Sequence, residues 1–272
     1  MVRAALVKGA VRYDNIVRAL ELVSDEFQKA VEKSRKPVIV PEFLYTKNEN
    51  TVTNVDAVRA VLDAITYFTN KEIKIAGSSF SLADAFSDYH YLQLQDSYSV
   101  QFADLFREEF KPVKGAGFMF SKTLLESDCR IVLAMLETHR TLLANLSTSQ
   151  FVLSGMDFSE RKRVMRDPKA AHDAVAGISE RVKPEFAIID GFTGLEGDFP
   201  AATKVVRSNV AIAGNDAGAV DSTAASVMGL LPKNIRYLRK KKVKAVKVVG
   251  DSVSKCRNNF ILPRNSEALI KL

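Results

Sequence analysis

Short apolar runs alternate with longer amphipathic stretches along the first part of the chain. Residues 4–8, 37–41 and 72–76 are apolar-rich runs of strand length. Between them, residues 13–33 and 53–68 carry apolar side chains at helical spacing. A strand, helix, strand, helix, strand order is typical of a parallel sheet with helices on its faces.

The same pattern continues to the C-terminus. Further strands are predicted at 130–135, 185–190, 209–213 and 245–249, and further helices at 168–182 and 216–228. Residues 144–153 fit a strand or a helix. We therefore predict an α/β fold with a mostly parallel sheet, helices on both faces and a Rossmann-like architecture. Because no linker or repeat interrupts the pattern, residues 1–272 are predicted to form a single domain.

Composition narrows the class of protein. A hydrophobic content of 47% can fill a core, which excludes a disordered chain. Two cysteines, Cys129 and Cys256, are too few for a disulfide framework or an iron–sulfur cluster. No apolar run approaches the length of about 18 residues that a membrane span needs. The sequence thus predicts a cytoplasmic protein with no membrane partner.

The positive charge is concentrated in one segment. The chain has 39 Lys and Arg against 32 Asp and Glu, a net charge of +7. Residues 233–247 contain eight of the basic residues and none of the acidic ones, so the rest of the chain is nearly neutral. The segment holds a single aromatic residue, Tyr237, and we predict no specific nucleic-acid binding. A partner with an acidic face is the alternative use of this segment.

Acidic residues follow the predicted strand at 185–190. Asp190 ends that strand, and Glu196 and Asp198 follow in a glycine-rich stretch that we interpret as a loop. Ligands bind beyond the carboxyl ends of strands in open α/β sheets. Grouped carboxylates there suit a divalent cation, or an acid and a base with different pKa values. The alternative is an acidic surface loop without a ligand.

A second candidate follows the predicted strand at 209–213. Asn215 and Asp216 precede a helix rich in small residues, and Asp221 lies within its first turns. These residues can cap the helix or bind a metal, whereas their negative charge disfavours phosphate. The segment lacks the glycine spacing of a dinucleotide-binding fingerprint.

A third candidate follows the strand at 130–135. His139 and Arg140 come shortly after that strand, where a histidine can act as a base or a metal ligand. A structural histidine is the alternative interpretation.

Several of these segments resemble the domain of unknown function 362 family. The resemblance is most specific in FAIIDGFTGLEGDFP at 186–200, NVAIAGNDAGAVDSTAASVMG at 209–229 and KVVGDSVSKCRNNFILP at 247–263. The N-terminal stretch at 36–65 is similar more loosely. The chain is also distantly similar to the first domain of nickel-pincer lactate racemases, but it has no lysine in a matching pattern, so the pincer cofactor is not implied.

Two of the chain's departures from the family pattern concern charged residues. Where the family has Pro-Asn, this sequence has Pro41-Glu42, and where the family has Lys-x-Lys-x-His, it has residues 135–139, Met-Leu-Glu-Thr-His. If the family lysines bind an anionic substrate, this chain has lost that ability or uses Arg140 or another group.

The first functional hypothesis is an enzyme acting on a small anionic or carbonyl-bearing molecule with a divalent metal. The predicted catalytic residues are His139 and Asp190. The predicted metal ligands are Asp190, Glu196 and Asp216. The predicted ligand-binding residues are Arg140, Asn215 and Asp221. The alternative is a noncatalytic binding or scaffold protein that keeps the fold and uses residues 233–247 as its partner surface.

Overall fold

The computed structural model describes residues 1–243 and 245–272. The strands in these ranges are β1 (Val2–Lys8), β2 (Pro37–Pro41), β3 (Ile73–Gly77), β4 (Val100–Asp104), β5 (Phe110–Val113), β6 (Phe118–Ser121), β7 (Cys129–His139), β8 (Leu143–Asn145), β9 (Phe186–Asp198), β10 (Ala202–Gly214) and β11 (Val246–Gly250). Each predicted strand segment overlaps an observed strand, and the segments predicted at 72–76, 185–190 and 245–249 begin one residue too early.

The helices are α1 (Arg12–Glu21), α2 (Ser24–Val31), α3 (Val55–Thr66), α4 (Leu82–Asp88), α5 (Lys122–Glu126), α6 (Ser147–Gly155), α7 (Phe158–Val164), α8 (Pro168–Ser179), α9 (Ala217–Val227), α10 (Arg236–Lys241), α11 (Val253–Cys256) and α12 (Ser266–Lys271). The helix predicted at 13–33 is two helices, and the ambiguous segment at 144–153 contains the end of β8 followed by most of α6. None of the helices in the described ranges has the length and apolar content to cross a membrane.

One nine-stranded sheet organises the chain, in the order β11-β1-β10-β9-β7-β2-β3-β4, with β8 paired to β7. The pairs β1–β11, β2–β3, β2–β7, β3–β4 and β7–β9 are parallel, and those that involve β10 or β8 are antiparallel. Strands β5 and β6 form a separate hairpin. The predicted α/β class with a mostly parallel sheet is therefore confirmed.

Both faces of the sheet are covered. In β1, Leu6 points into one apolar core, while its neighbours Ala5 and Val7 point into the other. Helices α1 to α4 contribute to the second core, and α6, α8, α9 and α10 contribute to the first. Strands covered on both faces are apolar at nearly every position, as in the fully buried PVIVP of β2.

The strand order reverses between β2 and β7. From β2 the chain crosses to β3 and β4 on one side, and from β7 it continues to β9 on the other. Such a reversal separates the connections above two neighbouring parallel strands and opens a crevice at their carboxyl ends. We therefore expect a ligand-binding crevice above β2 and β7.

Strands β9 and β10 overturn two sequence expectations. The glycine-rich stretch at 191–198, interpreted as a loop, is the second half of β9 and pairs with β10. Because β10 is antiparallel to β9, its carboxyl end lies at the opposite edge of the sheet from the ends of β2, β7 and β9. Glycine carries no hydrophobic signal, and apolar periodicity does not encode strand direction, so neither feature was visible in the sequence.

The basic segment at 233–247 is partly neutralised within the chain. Helix α10 buries Tyr237 and Leu238, and Arg236 and Lys240 form ion pairs with Asp173 at 3.1 and 2.7 Å. Strand β11 then forms an edge of the sheet. Lys244 lies outside the described residues, and the partner surface stays a prediction.

Candidate functional site

Two carboxyl groups lie where the strand order reverses between β2 and β7, a place we call the switch point. One of them is at the end of each of these two strands. Glu42 directly follows β2, and Glu137 lies two residues before the end of β7. The Thr53 hydroxyl accepts a hydrogen bond from the Glu42 backbone N–H at 2.8 Å and donates to the Leu133 carbonyl oxygen at 3.0 Å. Glu42 and Glu137 are 1% and 0% exposed, so both carboxyl groups are inside the protein.

The Asn145 amide joins these two groups, which we call the carboxyl pair. Its Nδ2 atom donates to Glu137 Oε2 at 2.8 Å and to Glu42 Oε2 at 3.2 Å. The Ser149 hydroxyl holds Asn145 by donating to its Oδ1 atom at 2.9 Å. Glu42 Oε1 accepts from the Leu44 backbone N–H at 2.8 Å. Glu137 Oε1 has no hydrogen-bond partner among the residues described.

Burial changes the protonation of the carboxyl pair. Loss of solvation raises the pKa of Glu42 to about 7, against the opposing effects of its hydrogen bonds and of Arg161. Loss of solvation, followed by repulsion from Glu42, raises the pKa of Glu137 well above its ordinary value. Ionising both of two carboxyl groups that share one amide donor has a high free-energy cost in a buried site. The pair therefore retains at least one proton at neutral pH.

A basic cleft opens beside the carboxyl pair. Its volume is about 370 Å³, and its polar lining is Tyr45, Arg140, Arg161, Lys162 and Arg166. A cavity of about 520 Å³ continues from it past Arg140 and Arg166. Within residues 1–243 and 245–272, none of the four cations forms an ion pair. Among the described residues no acidic side chain lines the cleft, so its lining is positively charged, and it contains the predicted ligand-binding residue Arg140.

Tyr45 and Arg161 connect the cleft to the carboxyl pair. Arg161 Nη1 donates to Ser78 Oγ at 3.0 Å and to the Leu153 carbonyl oxygen at 2.9 Å, so its guanidinium is fixed. Burial, followed by the charge of Glu42, raises the pKa of Tyr45, while Arg161 opposes this increase. The hydroxyl of Tyr45 therefore stays protonated within the fields of both groups.

His139 holds the turn between β7 and β8. Its Nδ1 atom accepts hydrogen bonds from the backbone N–H groups of Thr141 and Leu142 at 3.0 and 3.3 Å. Burial, assisted by the charge of Arg140, lowers the pKa of His139 to about 3, so the imidazole is neutral. This geometry gives His139 a structural role in placing Arg140 at the cleft. Its catalytic role stays a prediction.

Asp190 forms a buried ion pair with Arg12. The Nε atom of Arg12 lies 3.0 Å from Asp190 Oδ2 and 3.3 Å from Oδ1, and Oδ1 also accepts from the Phe192 backbone N–H at 3.2 Å. Burial raises the pKa of Asp190, and Arg12 opposes the increase. Both carboxylate oxygens therefore have partners within the protein, and a catalytic role for Asp190 stays a prediction.

The three predicted metal ligands do not converge. Asp216 follows β10 at the opposite edge of the sheet, where it caps α9 by accepting from the Ala219 backbone N–H at 2.9 Å. Glu196 accepts from the Ile261 backbone N–H at 2.8 Å, far along β9 from Asp190. No group of three or more His, Cys, Asp and Glu side chains in the described part of the chain is arranged to hold a metal. The expectation of one shared site is therefore corrected by the antiparallel direction of β10.

The other two predicted ligand-binding residues lie near that opposite edge or inside the core. Asn215 is exposed beside Asp216. Asp221 is fully buried and accepts from the backbone N–H groups of Ser147 and Thr148 at 2.8 and 3.0 Å, which caps the start of α6. Asp221 therefore joins α9 to α6, and ligand binding by either residue stays a prediction.

Replacement of Asp216 separates capping from metal binding. Because Asp216 caps α9 through a single hydrogen bond, Asp216→Ala is expected to lower the free energy of unfolding by about 1 kcal/mol, and Asp216→Asn by only a few tenths. Urea unfolding followed by circular dichroism measures both. A divalent ion that stabilises the wild type but neither variant contradicts the capping assignment.

Neither Glu42 nor Glu137 was predicted from the sequence to be a site residue. A signal was nevertheless present, because Glu42 ends the apolar run of β2 and Glu137 lies in the apolar run of β7. A glutamate at the carboxyl end of a strand that is apolar on both faces is buried beside the switch-point crevice. Arg161, Lys162 and Arg166 carried no such signal, because a basic helix is typical of a solvated surface.

Comparisons with known proteins identify the family. The model of the domain of unknown function family DUF362 matches residues 38–226, more than half of the chain. No curated protein matches the sequence. The lactate racemase apoprotein from Thermoanaerobacterium thermosaccharolyticum is a structural match with 16% identity and a TM-score of 0.46, covering 78% of this chain and 54% of that one. A Thermotoga maritima protein matches with 12% identity and a TM-score of 0.42, covering 74% and 56%.

The chain spans about half the length of these two solved structures. The family match covers the switch-point strands, the carboxyl pair and the cations of the cleft. The chain therefore belongs to the DUF362 family.

Proposed function

We propose that this protein is an enzyme that binds a small anionic, carbonyl-bearing molecule in the basic cleft and transfers a proton through the carboxyl pair. The observation that carries the proposal is the pair of buried carboxyl groups, both with raised pKa values, close to a cleft whose four cations form no ion pair among the described residues. Groups with perturbed pKa values beside a cleft are characteristic of acid–base sites.

Cations and carboxyl groups have separate tasks in this proposal. Arg140, Lys162 and Arg166 attract the anion, and the fixed guanidinium of Arg161 orients it. The carboxyl pair supplies a protonated acid and an ionised base near neutral pH, because one carboxyl group is protonated while the other is ionised. Glu137 Oε1, which has no partner among the described residues, is the oxygen available for proton transfer.

The family resemblance supports a rearranged site. Glu42 and Glu137 occupy positions where the family pattern has Asn and Lys. We propose that Arg140, together with Lys162 and Arg166 of the α7 region, supplies here the positive charge that binds an anion. The carboxyl pair is then specific to chains that carry both replacements.

The anion-binding step is tested with a triple variant. Arg140→Gln/Lys162→Gln/Arg166→Gln is expected to weaken binding of pyruvate and oxalate at least tenfold, since each charge-assisted hydrogen bond contributes about 1.5 kcal/mol or more. Isothermal titration calorimetry measures the affinities. Arg163→Gln is the matched control, because Arg163 is an exposed cation on α7 that contacts Phe118 rather than the cleft. Equal losses in both variants contradict the proposed cleft.

The proton-transfer step has its own measurement. In deuterium oxide the wild type is expected to exchange the methyl protons of pyruvate faster than the solvent does, as followed by proton NMR. Glu137→Gln is expected to lose this exchange while it keeps pyruvate affinity. Binding without exchange in the wild type supports the noncatalytic binding hypothesis instead.

The divalent metal and the cytoplasmic location also stay predictions. Elemental analysis of the purified protein checks the metal, and the described side chains give it no three-ligand group to occupy. Cys129 and Cys256 are buried free thiols, which agrees with a reducing compartment.

A further inference from the structure

Three phenylalanine rings pack together beside the basic cleft. Phe80 follows β3, Phe106 follows β4, and Phe158 begins α7. The ring centroids are 4.2 Å apart for Phe80 and Phe106, 4.7 Å for Phe80 and Phe158, and 4.9 Å for Phe106 and Phe158. We call these three residues the aromatic wall. The wall stands at the same edge of the sheet as the carboxyl pair, because β2, β3 and β4 are parallel.

The aromatic wall is incompletely covered. Phe80 is 61% exposed, whereas Phe106 and Phe158 are half-buried. An exposed apolar ring lacks the favourable free energy of transfer from water that burial provides. Clusters of exposed apolar rings are typical of binding surfaces. Phe80 is therefore a ring that a bound molecule can cover.

The wall adjoins the cleft through Phe158, and neither Phe80 nor Phe106 is among the residues that line it. Phe158 lines the basic cleft, and the Arg161 guanidinium lies 5.3 Å from the centre of the Phe158 ring. A group bound to Arg161 consequently lies next to an aromatic face. Positive charge on one side and aromatic carbon on the other fit a molecule with an anionic end and a flat apolar end.

We infer that the ligand is an aryl-bearing carboxylate, whose carboxylate binds the cations of the cleft and whose ring packs against Phe80. This inference rests on the proposed function, since it needs an anion in the cleft, and it adds the chemical class of the rest of the molecule.

The test compares two carboxylates that differ only in the ring. By calorimetry, 3-phenylpropionate is expected to bind the wild type at least fivefold more tightly than propionate, from the stacking and area of one ring. Phe80→Ala is expected to remove that advantage and leave propionate affinity unchanged. Because Phe80 is exposed, its replacement does not open a cavity in the core. Tyr67→Ala, which removes an aromatic ring that is 83% exposed and packs against Phe68 instead of the aromatic wall, is the matched control.

Each contrary outcome has a distinct meaning. Equal affinities for the two carboxylates, with binding lost in the triple cation variant, overturn the aryl inference and leave the proposed function standing. No binding of either carboxylate, of pyruvate or of oxalate overturns both. If Phe80→Ala changes the oligomeric state in gel filtration but not the affinity ratio, the wall is a protein interface and the aryl inference is wrong.

Discussion

Glu137→Gln is expected to stabilise the folded protein above neutral pH. A carboxyl group whose pKa is higher in the folded than in the unfolded state contributes its full stability below the unfolded pKa and loses it as the pH rises through the folded pKa. Burial, followed by repulsion from Glu42, raises the pKa of Glu137 well above its ordinary value, so the wild type loses this contribution to stability as the pH rises. Glutamine keeps the acceptor for Asn145 but carries no charge, so the repulsion within the pair disappears.

Urea unfolding at pH 5.5 and pH 8.5, followed by circular dichroism, measures this effect. The wild type is expected to lose more stability between the two pH values than the Glu137→Gln variant does, because glutamine has no proton to lose. Glu267→Gln, on the exposed side of α12, is the control and is expected to change stability by less than about 0.5 kcal/mol. An identical pH dependence in wild type and Glu137→Gln shows that the pKa of Glu137 is not raised in the folded protein.

The same variant connects stability to the proposed activity. If removing one charge stabilises the folded protein, that charge lowers the free energy of unfolding of the wild type. If Glu137→Gln both stabilises the protein and abolishes deuterium exchange, the buried charge is retained for proton transfer. Stabilisation without loss of exchange shows instead that another group moves the proton.

The strands and helices that position the site could be predicted from the sequence, but only some of the side chains in the site could. Apolar runs located β2, β3 and β7, because strands covered on both faces are apolar at almost every position. The switch point between β2 and β7 was not visible, since pairing order depends on how helices pack across the sheet. Arg140 was predicted to bind a ligand because its place just after a strand puts it at the ligand-binding edge. The structure places Arg140 in the lining of the cleft, and ligand binding by it stays a prediction.

The predicted convergence of the acidic residues failed for a specific physical reason. Strand order and direction decide which loops meet, and the antiparallel β10 sends Asp216 to the opposite edge from Glu42. Asp221 has the same residue type but is used to cap α6 inside the core. Residue type and spacing therefore identified groups able to bind a ligand, while the topology determined which of them share a crevice.

Arg12→Ala is expected to destabilise the protein by about 3–5 kcal/mol, because it leaves a buried carboxylate without its partner. Asp190 is 2% exposed, and Arg12 contacts both of its oxygens. Thermal unfolding should show a decrease in Tm of about 10 °C for a chain of this size. Arg3→Ala is the matched control, since the Arg3–Glu26 pair has the same 3.0 Å separation but Arg3 is 40% exposed. Its loss is expected to cost less than about 1 kcal/mol.

The double variant Arg12→Ala/Asp190→Asn distinguishes an ion pair from a metal site. If Asp190 only needs its charge compensated, neutralising it should recover most of the stability lost in Arg12→Ala, because the unpaired buried charge is gone. If Asp190 is instead a metal ligand, Arg12→Ala should gain divalent-ion binding, seen as a metal-dependent increase in Tm, and Asp190→Asn should abolish that increase. Recovery without any metal response assigns Asp190 to the support of the sheet edge beside the carboxyl pair, and it leaves proton transfer to Glu42 and Glu137.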